Sequence, residues 1–256
     1  KKSGRLIIAP NGSWFTQVHP ELRDYIYRFI EAEDIPALKY ECRATLFNPS
    51  KARKELKIMH AARYGSTAGV GKALELLAEG LEEISPSHII SLGLEVADDN
   101  DLRTLNKGCC LDDYVFASEK IREKGAKLGC NVLLAPPRVN NPIYKAFATA
   151  KFAVEKLGAG ELNIMPCTPM LGTPGYDDWV NARWNPISAT AASEIFRTIK
   201  EKYSAINPAI KVRYLDLRVF SKHGRHGKFR RKPGKWSEEE KKAGREKVRK
   251  IASALF

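Results

Sequence analysis

The chain has 256 residues, an apolar fraction of 43% and a net charge of +13. That is enough length and apolar content for one large α/β domain, alone or with an appendage. No run approaches the ~18 consecutive apolar residues of a membrane span, so no membrane partner is expected. A charge this large points to a polyanionic partner, nucleic acid first.

In chain order, Arg5–Ala9 reads as a strand closed by the turn Pro10-Asn-Gly-Ser13, whose small residues suit a ligand-facing loop. A helix opens at Pro20, and its apolar residues Leu22, Tyr25, Ile26, Phe29 and Ile30 recur at helical spacing, which predicts an inward, core-forming face. Residues 37–43 form the next strand. Period two places Glu41 and Arg43 on one face, as a structural ion pair or a ligand clamp. Residues 48–66 are basic and weakly patterned, which predicts a loop plus a short helix.

Gly65-Ser-Thr-Ala-Gly-Val-Gly-Lys72 imitates a phosphate-binding loop. The motif requires Gly where Ser66 stands and Ser or Thr where Ala73 stands, so the stretch reads as a turn into a helix over 73–84, and a nucleotide triphosphatase is excluded.

The stretch Ile89–Asp98 is a run of branched aliphatics that delivers Glu95 at its carboxyl end, as a strand buried on both faces does. A helix follows behind an acidic cap and stops at Gly108, bringing Arg103 and Lys107 toward the same mouth. Further helices are expected over 112–128, 142–157 and 189–203, with strands over 129–137, 161–166 and 211–215. Between Cys167 and Tyr176 a Gly/Pro-rich loop is expected. Alternation of strand and helix with short links predicts a parallel sheet with right-handed crossovers.

The five cysteines, Cys42, Cys109, Cys110, Cys130 and Cys167, form no regular framework, which fits the cytoplasm or another reducing intracellular compartment. From Lys222 to Lys235 the chain changes character. Lys222, Arg225, Lys228, Arg230, Arg231, Lys232 and Lys235 occur with two His and no acid, the composition of an arm that tracks RNA phosphates. Two regions are therefore expected: a folded body over 1–216, and a basic arm with a terminal helix opening at Ser237-Glu-Glu-Glu240 over 217–256.

The ordered set Asn11-Gly-Ser-Trp-Phe15, Tyr40-Glu-Cys-Arg43, Gly93-Leu-Glu-Val96, Leu105-Asn-Lys-Gly108, Leu133-Leu-Ala-Pro-Pro137, Thr173 and Trp179 resembles the core of radical S-adenosylmethionine proteins. The branch it resembles is that of the archaeosine-forming tRNA enzymes and the elongator catalytic subunit, over residues 5–200. The resemblance implies a partial parallel (β/α)6 barrel, with S-adenosylmethionine and a 4Fe–4S cluster at the strand carboxyl ends. It implies cofactor contacts from Gly12, Ser13, Glu41, Arg43, Glu95, Arg103, Asn106, Lys107, Pro136 and Pro137. It also implies RNA, either tRNA or ribosomal RNA, as partner, with room for a partner protein subunit.

The sequence departs from that pattern. The Cys-x3-Cys-x2-Cys motif is absent, and no arrangement of the five cysteines replaces it. Ala135 stands where the family has Lys, and the family's double Pro and Trp is thinned to Asn185-Pro186. The chain starts without Met, just before a strand, so the first strand and cluster loop of the barrel are expected upstream. Two accounts fit: an RNA-modifying enzyme, or subunit of one, whose cluster segment lies upstream, and a degenerate fold that serves a ribonucleoprotein without catalysis. A third reading, a methyltransferase-like protein without radicals, expects a Gly-rich loop after the first strand and is matched poorly by Pro10-Asn-Gly-Ser13.

Overall fold

The computed structural model describes residues 5–8, 14–215 and, in a C-terminal helix, Glu239, Lys242, Glu246, Arg249, Lys250, Ile251 and Ser253. The predicted contacts Gly12 and Ser13, and all seven basic residues assigned to the arm, lie outside the described residues.

The elements alternate as the pattern predicts: β1 (Leu6–Ile8), α1 (Trp14–Gln17), α2 (Pro20–Ala32), β2 (Leu38–Cys42), a 3-10 turn at Ala44–Phe47, α3 (Pro49–Tyr64), α4 (Val70–Glu82) and β3 (His88–Glu95). Then follow α5 (Asp99–Thr104), α6 (Leu111–Glu123), β4 (Lys127–Leu134), α7 (Pro142–Lys151) running into a π turn at Phe152–Lys156, β5 (Glu161–Pro166), α8 (Pro174–Val180), α9 (Ala189–Ile206) and β6 (Lys211–Tyr214).

The six strands form one sheet in chain order, β1-β2-β3-β4-β5-β6, and are parallel. Leu38 lies opposite His88 and Cys42 opposite Leu92, while Glu161 lies opposite Lys211. A doubly wound sheet reverses its order partway; one that never reverses keeps its crossovers on one face, as in a barrel. The fold is therefore α/β, of the partial (β/α)6 barrel class.

The chain divides into two compact units. Unit 1 comprises residues 1–94, 109–130 and 155–160; unit 2 comprises 95–108, 131–154 and 161–256.

Unit 1 is organised around aromatics. The Trp14 ring stacks on Tyr40 at 5.0 Å, Phe15 meets Tyr40 edge-on at 5.5 Å, and Tyr27 stacks on His88 at 5.5 Å. The expected inward face of α2 is corrected here. Leu22, Tyr25 and Phe29 are exposed by 51%, 66% and 43%, whereas Arg23 on the same helix is completely buried. Its guanidinium donates to both oxygens of Glu83, at 3.0 and 3.1 Å, and to the Val18 carbonyl at 3.2 Å. A fully bonded guanidinium can occupy a core position that periodicity reserves for an apolar residue. Gly80 belongs to the same packing: a Cβ there would fall 2.6 Å from Phe15 Cδ1.

Three element boundaries also differ from expectation. The expected loop with a short helix is the 16-residue α3. Asn48 caps it by accepting from the Ser50 and Lys51 amides, Pro49 opens it, and Gly65 ends it in the left-handed conformation at φ 64°. Its pattern is weak because, among its described side chains, only Ala52 and Leu56 are fully buried. The helix expected to reach Leu128 stops at Glu123, because Gly125 takes φ 71° and Lys127 already pairs in β4. Within the expected loop 167–176, Pro174 opens α8, whose cap is the Thr173 hydroxyl accepting from the Tyr176 amide.

Candidate functional site

Strand alternation gives each strand of unit 2 two rows. Val132 and Leu134, and Leu162 and Ile164, form fully buried apolar rows. The opposite row is polar and also buried: Asn131, Glu161 and Asn163 are each less than 5% exposed. Asn163 Nδ2 donates to Asn131 Oδ1 at 2.7 Å, and Glu161 pairs with Arg213 on β6 at 3.4 Å. A buried polar sheet face requires partners for its groups, and most of these groups supply them to one another.

Glu95, the last residue of β3, is only half partnered. Its backbone sits at φ 64°, a left-handed conformation that a residue with a Cβ rarely adopts. Lys107 donates to its Oε1 at 3.1 Å. Its Oε2 is buried and has no hydrogen-bond partner among the described residues. An acceptor held out of water without a donor is costly. Cys167, just past β5, donates its amide to the Leu134 carbonyl at 3.0 Å. Burial, and after it the charge of Glu95, pushes the Cys167 thiol up to about 11.

The loop after β4 carries similar backbone strain. Ala135 has φ 52°, Arg138 φ 62° and Asn141 φ 50°. Trp184 Nε1 donates to the Ala135 carbonyl at 3.0 Å, which pins the strained residue. Pro136 is buried behind it, and α8 approaches so closely that a Cβ on Gly175 would fall 3.1 Å from Pro137 Cγ. Positive-φ residues held by packing cluster at ligand sites.

Helix α5 opens behind the acidic cap as expected but ends at Thr104 rather than at Gly108. The Asp98 carboxylate accepts from the Asn100 and Asp101 amides at 3.0 and 3.1 Å, and Lys145 donates to its Oδ2. The Lys145 hydrogen bond holds the Asp98 carboxyl below its ordinary value. The structure joins Lys107 to Glu95 but does not show Arg103 there: Arg103 is exposed and donates to Asn100 on its own helix. Asn106, at φ 53°, is exposed too and shapes the turn that returns Lys107 to Glu95.

Glu41 and Arg43 belong to unit 1. Arg43 is exposed and pairs with Glu55 of α3 at 2.9 Å. Lys51 of α3 pairs with Asp113 at 2.6 Å and lies 3.6 Å from Cys110 Sγ. Cys109 Sγ lies 3.1 Å from the Tyr114 hydroxyl. Cys42 and Cys130 are buried, and burial pushes the Cys130 thiol up to about 12. All five cysteines are free, and among the described residues no group of three His, Cys, Asp or Glu side chains could hold a metal ion. These cysteines do not fit a 4Fe–4S cluster, whose thiolates must converge. Among the described residues no helix is long and apolar enough to cross a membrane.

The residues that sequence reading missed at this site are Cys167, Ala135 with Trp184, and the Arg138–Asp178–Arg183 set. Asp178 is buried in α8, just past the expected loop 167–176, where no helix was expected. An Ala at positive φ leaves no trace in composition.

Strand order and the polar sheet row thus define an α/β protein of the partial-barrel class. No protein-family model matches the chain, and no curated protein matches it. Among solved structures it is similar to archaeal Elp3 of Methanocaldococcus infernus with an N-terminal deletion of residues 1–46. The two share 15% identity at a TM-score of 0.46, covering 84% of this chain and 57% of that one. The chain thus spans less than two thirds of that structure's length.

Proposed function

We propose that this chain is a radical-SAM-like protein that binds S-adenosylmethionine at its strand carboxyl ends and acts on or binds RNA, as a tRNA-modification enzyme or a subunit of one. The observation that carries this reading is Glu95, with one carboxylate oxygen held by Lys107 and the other buried without a partner. An acceptor in that state suits the ribose hydroxyls or the ammonium group of S-adenosylmethionine. Lys107 orients the carboxylate, and the Ala135–Pro137 segment, pinned by Trp184, supplies a rigid wall for the adenine side. When bound, S-adenosylmethionine supplies an activated sulfonium carbon. The surplus of positive charge supports RNA as the partner, and the five free thiols accord with a reducing intracellular compartment.

A second reading, a cluster-free binding component of a ribonucleoprotein or of a multi-subunit enzyme, is favoured by one observation. Cys42 and Cys130 are buried, Cys109 and Cys110 are engaged with Lys51, Asp113 and Tyr114, and among the described residues no three His, Cys, Asp or Glu side chains converge as a metal site. Calorimetric titration with S-adenosylmethionine tests what both readings share. Micromolar binding by the parent chain, weakened at least tenfold in Glu95→Gln, is expected. A flat titration of the folded parent would remove the cofactor from both. Anaerobic iron–sulfide reconstitution of the natural protein separates them, since only the enzyme gains cluster absorbance and releases 5′-deoxyadenosine with a reductant.

A further inference from the structure

Arg138 donates from Nε and Nη2 to the two oxygens of Asp178, at 2.6 and 3.1 Å, and that fork satisfies the carboxylate. Arg183 nevertheless donates from Nε to Oδ1 of the same carboxylate at 2.9 Å. The arrangement places two guanidinium groups on one acid, and each side chain is more than half exposed, whereas Asp178 is buried. The backbone builds this deliberately. The Asp178 carbonyl accepts from the amides of Arg183 and Trp184 at 2.8 and 3.2 Å, and Ala182 takes φ 56° to close the turn. Arg138 itself stands at φ 62°, immediately after the double proline. One arginine would neutralise Asp178; the second adds a further guanidinium, with the charge of Asp177 also acting on Arg138, and N–H groups of both lack a partner among the described residues. On α8 with Asp178, the tilted rings of Tyr176 and Trp179 have centroids 5.6 Å apart, both partly exposed.

We propose that Arg138 and Arg183, held side by side on Asp178, form a phosphate clamp for single-stranded RNA, with the Tyr176–Trp179 pair as the adjacent base-stacking platform. The proposal rests on the RNA reading above and gives it a folded subsite distinct from the basic arm. Guanidinium forks match phosphate oxygens in pairs, and a carboxylate that fixes their orientation in advance lowers the ordering cost of binding. Aromatic faces beside fixed cations are the usual means of holding an unpaired base without reading its identity. An acidic peptide would engage the cations but has no use for the platform.

The test uses the full chain and a fluorescein-labelled oligouridylate, with anisotropy read across about 50–200 mM salt, where phosphate contacts are most visible. Arg183→Gln, which leaves the Arg138–Asp178 fork intact, is expected to weaken binding about fivefold to tenfold and to flatten the salt slope by about 0.7, with an unchanged melting temperature. Trp179→Leu is expected to weaken binding at an unchanged slope, as loss of stacking without loss of charge does. If the parent binds and neither Arg183→Gln nor Arg138→Gln changes affinity or slope, the clamp is overturned while the RNA reading stands. A parent chain that binds no oligouridylate overturns both. Equal competition by polyglutamate assigns the arginine pair to an acidic protein and also overturns the clamp.

Discussion

In unit 1 the fully buried Arg23 has a partner for each guanidinium nitrogen, and its partner Glu83 also accepts from the hydroxyl of Tyr27, whose ring stacks on His88 as that of Trp14 stacks on Tyr40. In unit 2 the buried Glu95 lacks a partner for one oxygen, and its backbone is strained. The described positive-φ residues other than glycine divide the same way. Unit 1 has Asp34; unit 2 has Glu95, Asn106, Ala135, Arg138, Asn141 and Ala182. Complete satisfaction is how a buried polar network holds a fold together, whereas strain and an orphaned acceptor persist only where something else over-determines them. The comparison teaches that the Arg23–Glu83 charges of unit 1 are used up within the fold, whereas Glu95 of unit 2 keeps one oxygen unbonded among the described residues.

Breaking the network of unit 1 has the largest expected effect. Arg23→Ala removes one partner of a buried pair, and since Glu83 is about one third exposed, water recovers part of the loss. The expected destabilisation is about 2–3 kcal/mol, read from the urea midpoint. A midpoint equal to the parent's would mean that the network does not hold the unit.

The strain in unit 2 predicts a smaller change of opposite sign. Ala135→Gly keeps the Trp184 hydrogen bond to the backbone and relieves a left-handed Ala, so it is expected to stabilise the chain by about 1 kcal/mol, read in the same urea experiment. Lower stability would show that Ala135 is not strained.

The smallest effect sharpens the link between Glu95 and Cys167. A thiol whose folded value, about 11, exceeds its ordinary 9.0 binds more protons folded than unfolded between those limits. Its contribution to stability is therefore present below that window and is lost as the pH rises through it. Over the same range Cys167 alkylates slowly. Glu95→Gln removes the negative charge that adds to the burial effect, so its alkylation at pH 9 is expected to accelerate, as mass spectrometry of iodoacetamide-treated protein would measure. An unchanged rate would separate the two side chains.

All six strands, the acidic cap of α5 and the delivery of Glu95 at a strand end were legible in the sequence. So was a turn from Gly65 into a helix without a complete phosphate-binding motif, although α4 begins at Val70 rather than at the expected 73. These depend on contacts near in sequence: a run of branched aliphatics makes a buried strand, and Asp98 caps the amides two and three residues on. The inward face of α2 was misread because Arg23 becomes a core residue only once Glu83, sixty residues later, supplies its carboxylate. The full length of α3 is not legible because a helix with two fully buried positions among its described side chains shows no apolar stripe.

Local pattern determined that this chain forms a sequentially ordered α/β sheet and placed an acid at the mouth of β3. Tertiary structure alone decided that Lys107 takes one oxygen of that acid, that Trp184 pins Ala135, and that Arg138 and Arg183 share Asp178. The physical reason is that hydrogen bonds and ion pairs act over a few ångströms. The sequence separations they bridge, from five residues to forty-nine, are closed only when the sheet brings its strand ends together.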